Sequence, residues 1–499
     1  MKKVYRFHFP PLPFLRVYVN MPFVKSRQPT IIQRSNHRIS RKWISPNALR
    51  VLYRLKESGY TAYLVGGGVR DLLLGREPKD FDIATNATPH QVKQCFRNCR
   101  LIGRRFRLAH VYFPNEIIEV ATFRSSEESA VKATPLTQPD TVPGALLSIP
   151  ADQATPVTNE KQAMKPELPR RRLLKTEEGM ILRDNVFGTP AQDAVRRDFT
   201  VNALFYNIAD FTVIDYVGGM PDLEHGLIRI IGDPHVRFVE DPVRMVRAIR
   251  FAAMLGFEIE PATYQAMLDL KEKISLASPS RMYEEVLKLF LLGEGEKTYQ
   301  MLRQAGMFKI LFPKLNDWID TESDDFPHVW ISKALDWVDT QIQSGKQVAP
   351  HMFFSLLFGH YAAEKASPLL QKRIPVVDAF SKTVDIIFEE FIHQIQIPKK
   401  ISQTMRDIYA SQYRFQRRHG KYPRFFLKHP IFTDAFEYFR FCGELTGNNH
   451  ELISWWQNLI KAQGTPPSPQ APNMQQKQER RHFRKKRKIV KTKHDIVPS

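Results

Sequence analysis

The 499-residue sequence has few cysteines, no long apolar run and neither of the common glycine-rich nucleotide-binding patterns. Three cysteines cannot build a disulfide framework, and Cys95 and Cys99 lack the spacing and the neighbouring histidines of a zinc site. No stretch approaches the ~18 apolar residues of a membrane span. Neither G-x-G-x-x-G nor G-x-x-x-x-G-K-[ST] occurs. These absences exclude a disulfide-stapled secreted domain, a membrane-spanning protein and a P-loop nucleotidase, and they predict a cytoplasmic protein.

Acidic residues are in the minority. The chain has 73 Lys and Arg against 52 Asp and Glu, a net charge of +21. Segment 477–494 holds ten basic residues and one acidic residue, a net +9, which leaves +12 for the rest of the chain. Because the excess is not confined to this tail, we expect the folded part to attract polyanions as well. The centre of the tail is a run of five basic residues, which we expect to contact nucleic acid: Arg484, Lys485, Lys486, Arg487 and Lys488.

Shifts in composition and periodicity predict mixed strands and helices at first, mostly helices from about residue 262 to 462, and a disordered basic C-terminal tail. A proline-rich stretch without periodicity (125–180) predicts a flexible insertion. Residues 1–38 are predicted to be a poorly ordered extension, and 463–499 a proline-rich linker with the basic tail.

The most informative stretch begins at residue 63. Tyr63–Val65 is typical of a strand, three glycines follow, a short helix is predicted to end at Gly75, and Asp80-Phe81-Asp82 comes next. Glycines such as Gly67 and Gly68 let the backbone approach an anion, and the positive end of a helix dipole favours phosphate. The pattern predicts a phosphate-binding turn, although an isolated glycine triplet is more often only a turn.

Asp80 and Asp82 project to the same face of a strand because side chains alternate, while Phe81 points to the opposite side. Two carboxylates beside a phosphate turn are suited to Mg²⁺, which binds one or two carboxylates together with substrate phosphates. Two such ions can activate a hydroxyl and neutralise a departing pyrophosphate. Glu119, on another predicted strand, is a candidate third carboxylate, and an exposed structural glutamate is the alternative.

The stretch 193–206 is predicted to be a helix. Asp198 and Asn202 would then lie on one face, beside Arg196 and Arg197. Such a group could bind a ribose hydroxyl, a metal ion and a phosphate. A surface salt-bridge network is the alternative.

A second predicted helix starts at Glu240-Asp241-Pro242 and ends at Gly256. Arg244, Arg247 and Arg250 recur along one stripe of it. The stripe is either a functional cationic surface or a solvated face, and Asp241 could be only a helix cap.

Two stretches mix arginines with apolar residues. In Leu101–Val111, Arg104, Arg105 and Arg107 suggest a strand that meets phosphates, with a solvated basic strand as the alternative. In 406–418, aromatics and arginines suit single-stranded nucleic acid, but an aromatic core with arginines in solvent is the better interpretation.

Four motifs together resemble those of the class II template-independent nucleotidyltransferases, which include tRNA CCA-adding enzymes and bacterial poly(A) polymerases. The similarity covers about residues 39–460 of the sequence. The matching segments, in order, are Gly66–Asp71, Asp80–Asp82, Arg196–Ala203 and Glu240–Arg244.

The resemblance implies a polymerase-beta-like α/β head (39–220, interrupted by the insertion), an all-α neck (221–300) and body (301–462), and a two-metal mechanism. Asp80 and Asp82 would bind two Mg²⁺ (or Mn²⁺) ions, assisted by Asp198 or Glu119, with ATP as a substrate. Nucleotide-binding roles would fall to residues of the four motifs and their neighbours: Gly67, Gly68, Arg70, Asp71, Arg197, Asn202, Asp241, Arg244 and Arg247.

Asp241 and Arg244 would read the base, but they do not decide which base. Adenine and cytosine both present a donor beside an acceptor, so a carboxylate and a guanidinium suit either. Leu101–Val111 and the basic tail resemble the poly(A) polymerase side of the family. We therefore predict AMP addition to RNA 3′ ends, with CCA addition as the alternative and a non-catalytic RNA-binding protein ranked below both. Expected partners are RNA of any sequence and RNA-decay proteins, for a monomeric enzyme.

Overall fold

The computed structural model describes residues 28–103, 107–125, 174–175, 181–183, 187–321 and 327–463. The chain divides into two compact units, with the boundary between Lys273 and Ile274. The first is built on a mixed sheet and the second consists of helices, so the predicted α/β head, helical body and their order are confirmed. Among the described residues, no helix combines the length and apolar character that crossing a bilayer requires.

Eight strands form the main sheet of the first unit, in the spatial order β1-β10-β9-β2-β3-β6-β5-β4. Only β3 and β6 run parallel; every other neighbouring pair is antiparallel. The strands are β1 (Thr30–Ile32), β2 (Ala62–Val65), β3 (Asp82–Thr85), β4 (Cys99–Ile102), β5 (Leu108–Tyr112), β6 (Ile117–Thr122), β9 (Leu204–Asn207) and β10 (Val213–Asp215). Two short two-stranded sheets pair β7 (Leu174–Lys175) with β8 (Ile181–Arg183), and β11 (Leu227–Ile228) with β12 (Glu258–Ile259).

The first unit contains eight α-helices among the described residues. They are α1 (Pro46–Glu57), α2 (Gly67–Leu74), α3 (Pro89–Cys95), α4 (Pro190–Arg196), α5 (Gly219–His225), α6 (Pro234–Glu240), α7 (Val243–Leu255) and α8 (Pro261–Leu270). Thr88 and Thr189 each form a capping box that starts α3 and α4. α1 and α3 pack on one face of the sheet, which leaves its other face for the motif residues.

The second unit contains eleven helices among the described residues. They are α9 (Pro279–Phe290), α10 (Gly295–Gln304), α11 (Met307–Leu311), α12 (Pro313–Ile319), α13 (Pro327–Gln343), α14 (Pro350–Gln371), α15 (Val376–Glu389), α16 (Lys399–Ser411), α17 (Tyr422–Leu427), α18 (Phe432–Thr446) and α19 (His450–Gln463). Aromatic side chains fill its interior, as the better interpretation of 406–418 predicted: Tyr409 and Phe415 are buried.

The predicted helix 193–206 is wrong. α4 ends at Arg196, Thr200–Asn202 form one 3₁₀ turn, and β9 follows. The reason is tertiary pairing. Phe199 forms a β-bridge with Ile230, and the Asp198 carbonyl accepts a hydrogen bond from the Ile231 N–H at 3.0 Å, so the backbone is extended where helical periodicity would have continued.

The expectation of poor order across residues 1–38 is also wrong in part, because β1 pairs with β10 at the edge of the sheet. The His37 ring hydrogen-bonds the Phe211 carbonyl at 2.8 Å, which fixes the segment that follows β1. Most of the predicted insertion 125–180, and the tail from 464 onward, lie outside the described residues.

Candidate active site of a nucleotidyltransferase

The glycine turn lies between β2 and α2, as predicted. Gly66 has φ +73°, a conformation that residues with a Cβ rarely adopt. A Cβ there would lie 3.3 Å from Arg197 Nη1 and 3.7 Å from Asp82 Oδ2, and a Cβ on Gly68 would lie 3.2 Å from the Asp80 carbonyl oxygen. The turn is therefore packed directly against the acidic strand, and the first N–H groups of α2 begin beside it.

Asp80 and Asp82 are placed as the strand alternation predicted. Asp82 opens β3 opposite Val65, Asp80 is exposed just before it, and Phe81 between them is buried. Glu119 of β6 is aligned with Asp82 in the parallel pairing. Burial, followed by the negative charges of Glu119 and Asp80, raises the pKa of Asp82 to about 6, although Arg197 opposes the shift.

The donors at this site fit a divalent cation of the magnesium type. They are carboxylate oxygens, they crowd negative charge, and a cation would relieve the repulsion that raises the pKa of Asp82. Within the described ranges there is no group of three or more His, Cys, Asp or Glu that could hold a metal on its own. The arrangement matches an ion held by two carboxylates and completed by substrate phosphates. Glu119 has another partner, His110, with Oε1 and Nε2 3.1 Å apart.

Four of the nine predicted nucleotide-binding residues lie in one hydrogen-bonded chain with Asp198. Arg70, which is buried, donates from Nη1 to Asn202 Oδ1 (2.7 Å) and pairs with Asp71 at 2.7 Å. Asn202 Nδ2 lies 3.3 Å from Asp198 Oδ1, and Arg247 Nε donates to Asp198 Oδ2 at 2.9 Å. The prediction that Asp198 and Asn202 are neighbours therefore holds, although they do not share a helix.

Asp198 is held as a carboxylate. Burial alone would raise its pKa, but the Arg247 guanidinium and hydrogen bonds from the Phe199 N–H and Asn202 lower that pKa below its usual range. Both of its oxygens carry these bonds. Asp198 contacts Arg247 and Asn202. The carboxylate that raises the pKa of Asp82 from the neighbouring strand is Glu119 of β6.

Phe251 of α7 lies at the centre of this chain, and the sequence analysis missed it. The guanidinium carbons of Arg70, Arg247 and Arg250 lie 5.3, 5.4 and 4.3 Å from its ring centroid. Phe199 packs edge-on against the same ring at 5.6 Å. Cation–π contacts of this kind fix the guanidinium planes. The only signal in the sequence is the i, i+4 spacing of Arg247 and Phe251.

A second group of arginines surrounds the end of α4. Burial, together with the positive charge of its arginine neighbours, lowers the pKa of Arg196 to about 9. Burial and Arg244 likewise lower the pKa of Arg237 to about 10. So much positive charge in a partly buried place favours an anion. This arginine cluster consists of Arg124, Arg196, Arg197, Arg237 and Arg244. Arg124 and Arg237 belong to none of the residues predicted from the motifs.

Asp241 and Arg244 are close in the chain, but Arg244 has other partners. Its Nη1 donates to the Arg237 carbonyl (2.7 Å) and to Glu240 Oε2 (3.2 Å). Asp241 follows the last residue of α6, and its carbonyl accepts the Arg244 N–H at 3.0 Å. Arg197 donates hydrogen bonds to Asp193, which positions it between the glycine turn and the other arginines of the cluster.

The predicted RNA-binding residues are mostly outside the described part of the chain. Arg104 and Arg105 lie in the gap between residues 103 and 107, and Arg484–Lys488 lie beyond residue 463. Arg107 is described and exposed, directly before β5.

Three family profiles match parts of the sequence. Family profiles match residues 62–229 ("Poly A polymerase head domain"), 256–319 ("Probable RNA and SrmB- binding site of polymerase A") and 372–492 ("Polymerase A arginine-rich C-terminus"). Poly(A) polymerase I of Salmonella typhimurium is 43% identical over 86% of this chain and 85% of its own. The Haemophilus influenzae protein of that name is 37% identical over 92% and 94%.

CCA-adding enzymes are more distant relatives. That of Lactobacillus johnsonii is 34% identical over 56% of this chain and 61% of its own. The crystal structure of the Bacillus stearothermophilus CCA-adding enzyme in complex with CTP superposes with a TM-score of 0.51 at 23% identity, over 84% of this chain and 82% of that one. The fold is therefore shared with CCA-adding enzymes, whereas the two poly(A) polymerases named above are similar in sequence over 86% and 92% of this chain. The chain belongs to the poly(A) polymerase I family, whose members are nucleotidyltransferases related to CCA-adding enzymes.

Proposed function

We propose that this poly(A) polymerase extends RNA 3′ ends with AMP from ATP, without a template, through a site in which Asp80 and Asp82 hold two Mg²⁺ ions. The observation that carries the proposal is the packing of the Gly66 turn against Asp82 and Arg197, since it joins an anion-binding backbone to a cation-binding carboxylate pair. The bond formed is between the RNA 3′ oxygen and the α-phosphorus of ATP. The bond broken is the phosphoanhydride between the α- and β-phosphates, which releases pyrophosphate.

Each group of the site has a separate task in this proposal. The N–H groups at the start of α2 and the Arg197 guanidinium bind the triphosphate, while Asp80 and Asp82 bind the ions. When bound, the two ions would lower the pKa of the RNA 3′-hydroxyl and neutralise the departing pyrophosphate. The hydrogen bonds and ion pairs that link Asp71, Asp198 and Arg247 to Arg70 and Asn202 keep these last two side chains in place beneath the ribose. The arginine cluster adds positive charge that attracts ATP and RNA.

Base selection remains with Asp241 and Arg244. For Arg244 to read a base, its guanidinium must turn from the Arg237 carbonyl and Glu240, and the partner that receives it is the adenine N1 edge. Glu119 stays the proposed third carboxylate, since it faces Asp82, and Asp198 acts by anchoring Arg247.

The wider proposals follow the same family pattern. We place the enzyme in the cytoplasm as a monomer that acts on RNA 3′ ends largely without regard to sequence, in contact with RNA-decay proteins. The head (39–220), neck (221–300) and body (301–462) are proposed as its functional divisions, with the tail (463–499) as an additional RNA contact.

One assay tests the reaction and its runner-up. Full-length protein with Mg²⁺ and labelled ATP or CTP is offered a generic oligoribonucleotide and a tRNA that lacks CCA. Long A-tails on both RNAs are expected. Addition that stops after CCA on the tRNA would instead assign CCA addition, and no incorporation on either RNA would leave an RNA-binding protein.

A further inference from the structure

One face of the outer part of the head sheet is open to solvent. The opposite face of β4, β5 and β6 packs against α3, and β6 also against α1, so alternate side chains such as Val111 and Ile118 are buried there. The other set of alternate side chains is half-buried or exposed, and Ile102 and Ile117 retain 41% and 48% of their surface. Among the described residues, this face therefore has room for a ligand beside the exposed side chains of the strands.

The register connects this open face to the catalytic acids. Asp82 on β3 is aligned with Glu119 on β6, Glu119 with His110 on β5, and His110 with Arg100 on β4. The four side chains form one row across four neighbouring strands. Strands lie about 4.8 Å apart, so His110 is two strand spacings, about 10 Å, from Asp82. That separation can be spanned by one nucleotide, from its base to its 3′-hydroxyl, together with the two metal–oxygen bonds of an ion between that hydroxyl and Asp82.

Aromatic and cationic groups meet at the outer end of this row. The rings of His110 and Tyr112, two residues apart on β5, lie 6.3 Å from centroid to centroid. The Arg100 guanidinium carbon is 5.3 Å from the Tyr112 ring centroid. Rings and guanidinium planes on a sheet surface are what single-stranded RNA uses for stacking, and the positive charge suits its phosphates.

We propose that Tyr112, His110 and Arg100 form a stacking platform for the last nucleotides at the 3′ end of the RNA substrate. The platform holds the base of the terminal nucleotide, and its 3′-hydroxyl then reaches the acids two strands away. His110 also holds Glu119 through the 3.1 Å contact, so primer seating and the acidic site share one side chain. Stacking does not distinguish bases, which suits an enzyme that extends any RNA end. The proposal rests on the proposed function, since it needs an RNA 3′ end at Asp82.

The test separates primer binding from chemistry in the full-length enzyme. Tyr112→Leu removes the ring, and Tyr112→Phe keeps it. We expect Tyr112→Leu to raise KM for an oligoribonucleotide about tenfold, as lost base stacking does, with kcat and KM for ATP unchanged. Tyr112→Phe should restore the wild-type primer KM. Tyr53→Leu, on α1 at the opposite face of the sheet, is the matched control and should change neither KM.

A photoreactive thiouridine placed at the RNA 3′ terminus gives an independent readout. It should crosslink to the peptide that contains 108–112, and the same base placed well upstream should not. Tyr112→Leu with an unchanged primer KM and no terminal crosslink would overturn the platform. A rise in KM for ATP instead would assign the rings to the incoming nucleotide and also overturn it.

Asp82→Asn, measured in parallel, keeps the two proposals apart. If that variant still extends RNA, the proposed function fails. If it is inactive while Tyr112→Leu behaves as wild type, only the platform fails.

Discussion

The two units of this protein bury different chemistry. The head buries Arg70, Asn202 and Asp193, joined in hydrogen-bonded chains. In the helical unit the Phe415 ring lies within 6 Å of five other aromatic rings. Asp339, a buried residue of the helical unit, accepts hydrogen bonds from the backbone N–H groups of Gly295 and Glu296, which is a local structural role. Among the described residues, five of the seven buried charged side chains lie in the first unit. Because buried charge is costly, this excess marks the unit whose interior is kept for chemistry as well as for stability.

The largest effect should come from Asp82→Asn. We expect incorporation of AMP to fall by about a thousandfold or more, because metal ions supply several kcal/mol of transition-state stabilisation. RNA binding and the thermal midpoint should change little, because the substitution removes charge from a crowded acidic site. The measurement is single-turnover extension with labelled ATP.

Asp378→Asn is the matched control for this experiment, since Asp378 is an exposed aspartate in the first turn of α15. It should extend RNA at the wild-type rate. Near-wild-type turnover by Asp82→Asn would remove the metal site from the head and with it the contrast between the two units.

Phe415→Ala should lower stability without lowering activity, the reverse of Asp82→Asn. Truncating a fully buried phenylalanine costs about 3–5 kcal/mol of unfolding free energy, so the melting temperature should drop. The rate per folded molecule at low temperature should stay the same, because the ring touches none of the motif residues. Tyr413→Ala, two residues away and 50% exposed, should leave the melting temperature nearly unchanged. A lost kcat without a lost melting temperature in Phe415→Ala would show that the helical interior takes part in the chemistry.

Asp198→Asn should lower the free energy of unfolding. Arg247 keeps about a quarter of its side chain in solvent, so breaking the pair should cost about 3 kcal/mol, the lower end for a buried pair. The lowered pKa of Asp198 gives a pH dependence: its contribution is present above its unfolded pKa of about 4 and is lost as pH falls toward its folded value. Urea unfolding should show a constant gap between variant and wild type near neutrality, closing below about pH 4. A gap that persists in acid would show that the charge of Asp198 is not what Arg247 stabilises.

The sequence predicts the local parts of the head well. The Gly66 turn and the alternation of Asp80, Phe81 and Asp82 follow from backbone geometry within a few residues. Arg196 to Asn202 was mispredicted because a distant segment, through Ile230, imposes an extended backbone on it. Phe251 and Arg237 escaped notice for the same reason, since their partners are distant in sequence. The open sheet face was likewise invisible until the register of β4, β5 and β6 was known.

The smallest effect is expected from the basic tail, which lies outside the described residues. Deleting 475–499 should weaken RNA binding at low salt and make the dependence of log K on log salt shallower, by about 0.7 for each lost phosphate contact on a single strand. The rate at saturating RNA should not change, because the acids and the glycine turn remain. Replacing Arg484–Lys488 with glutamines in the intact chain is the matched variant that separates charge from length. If both variants bind RNA as the full chain does at every salt concentration, the positive charge that holds RNA lies within the folded units, where the arginine cluster of the head is the strongest source of it.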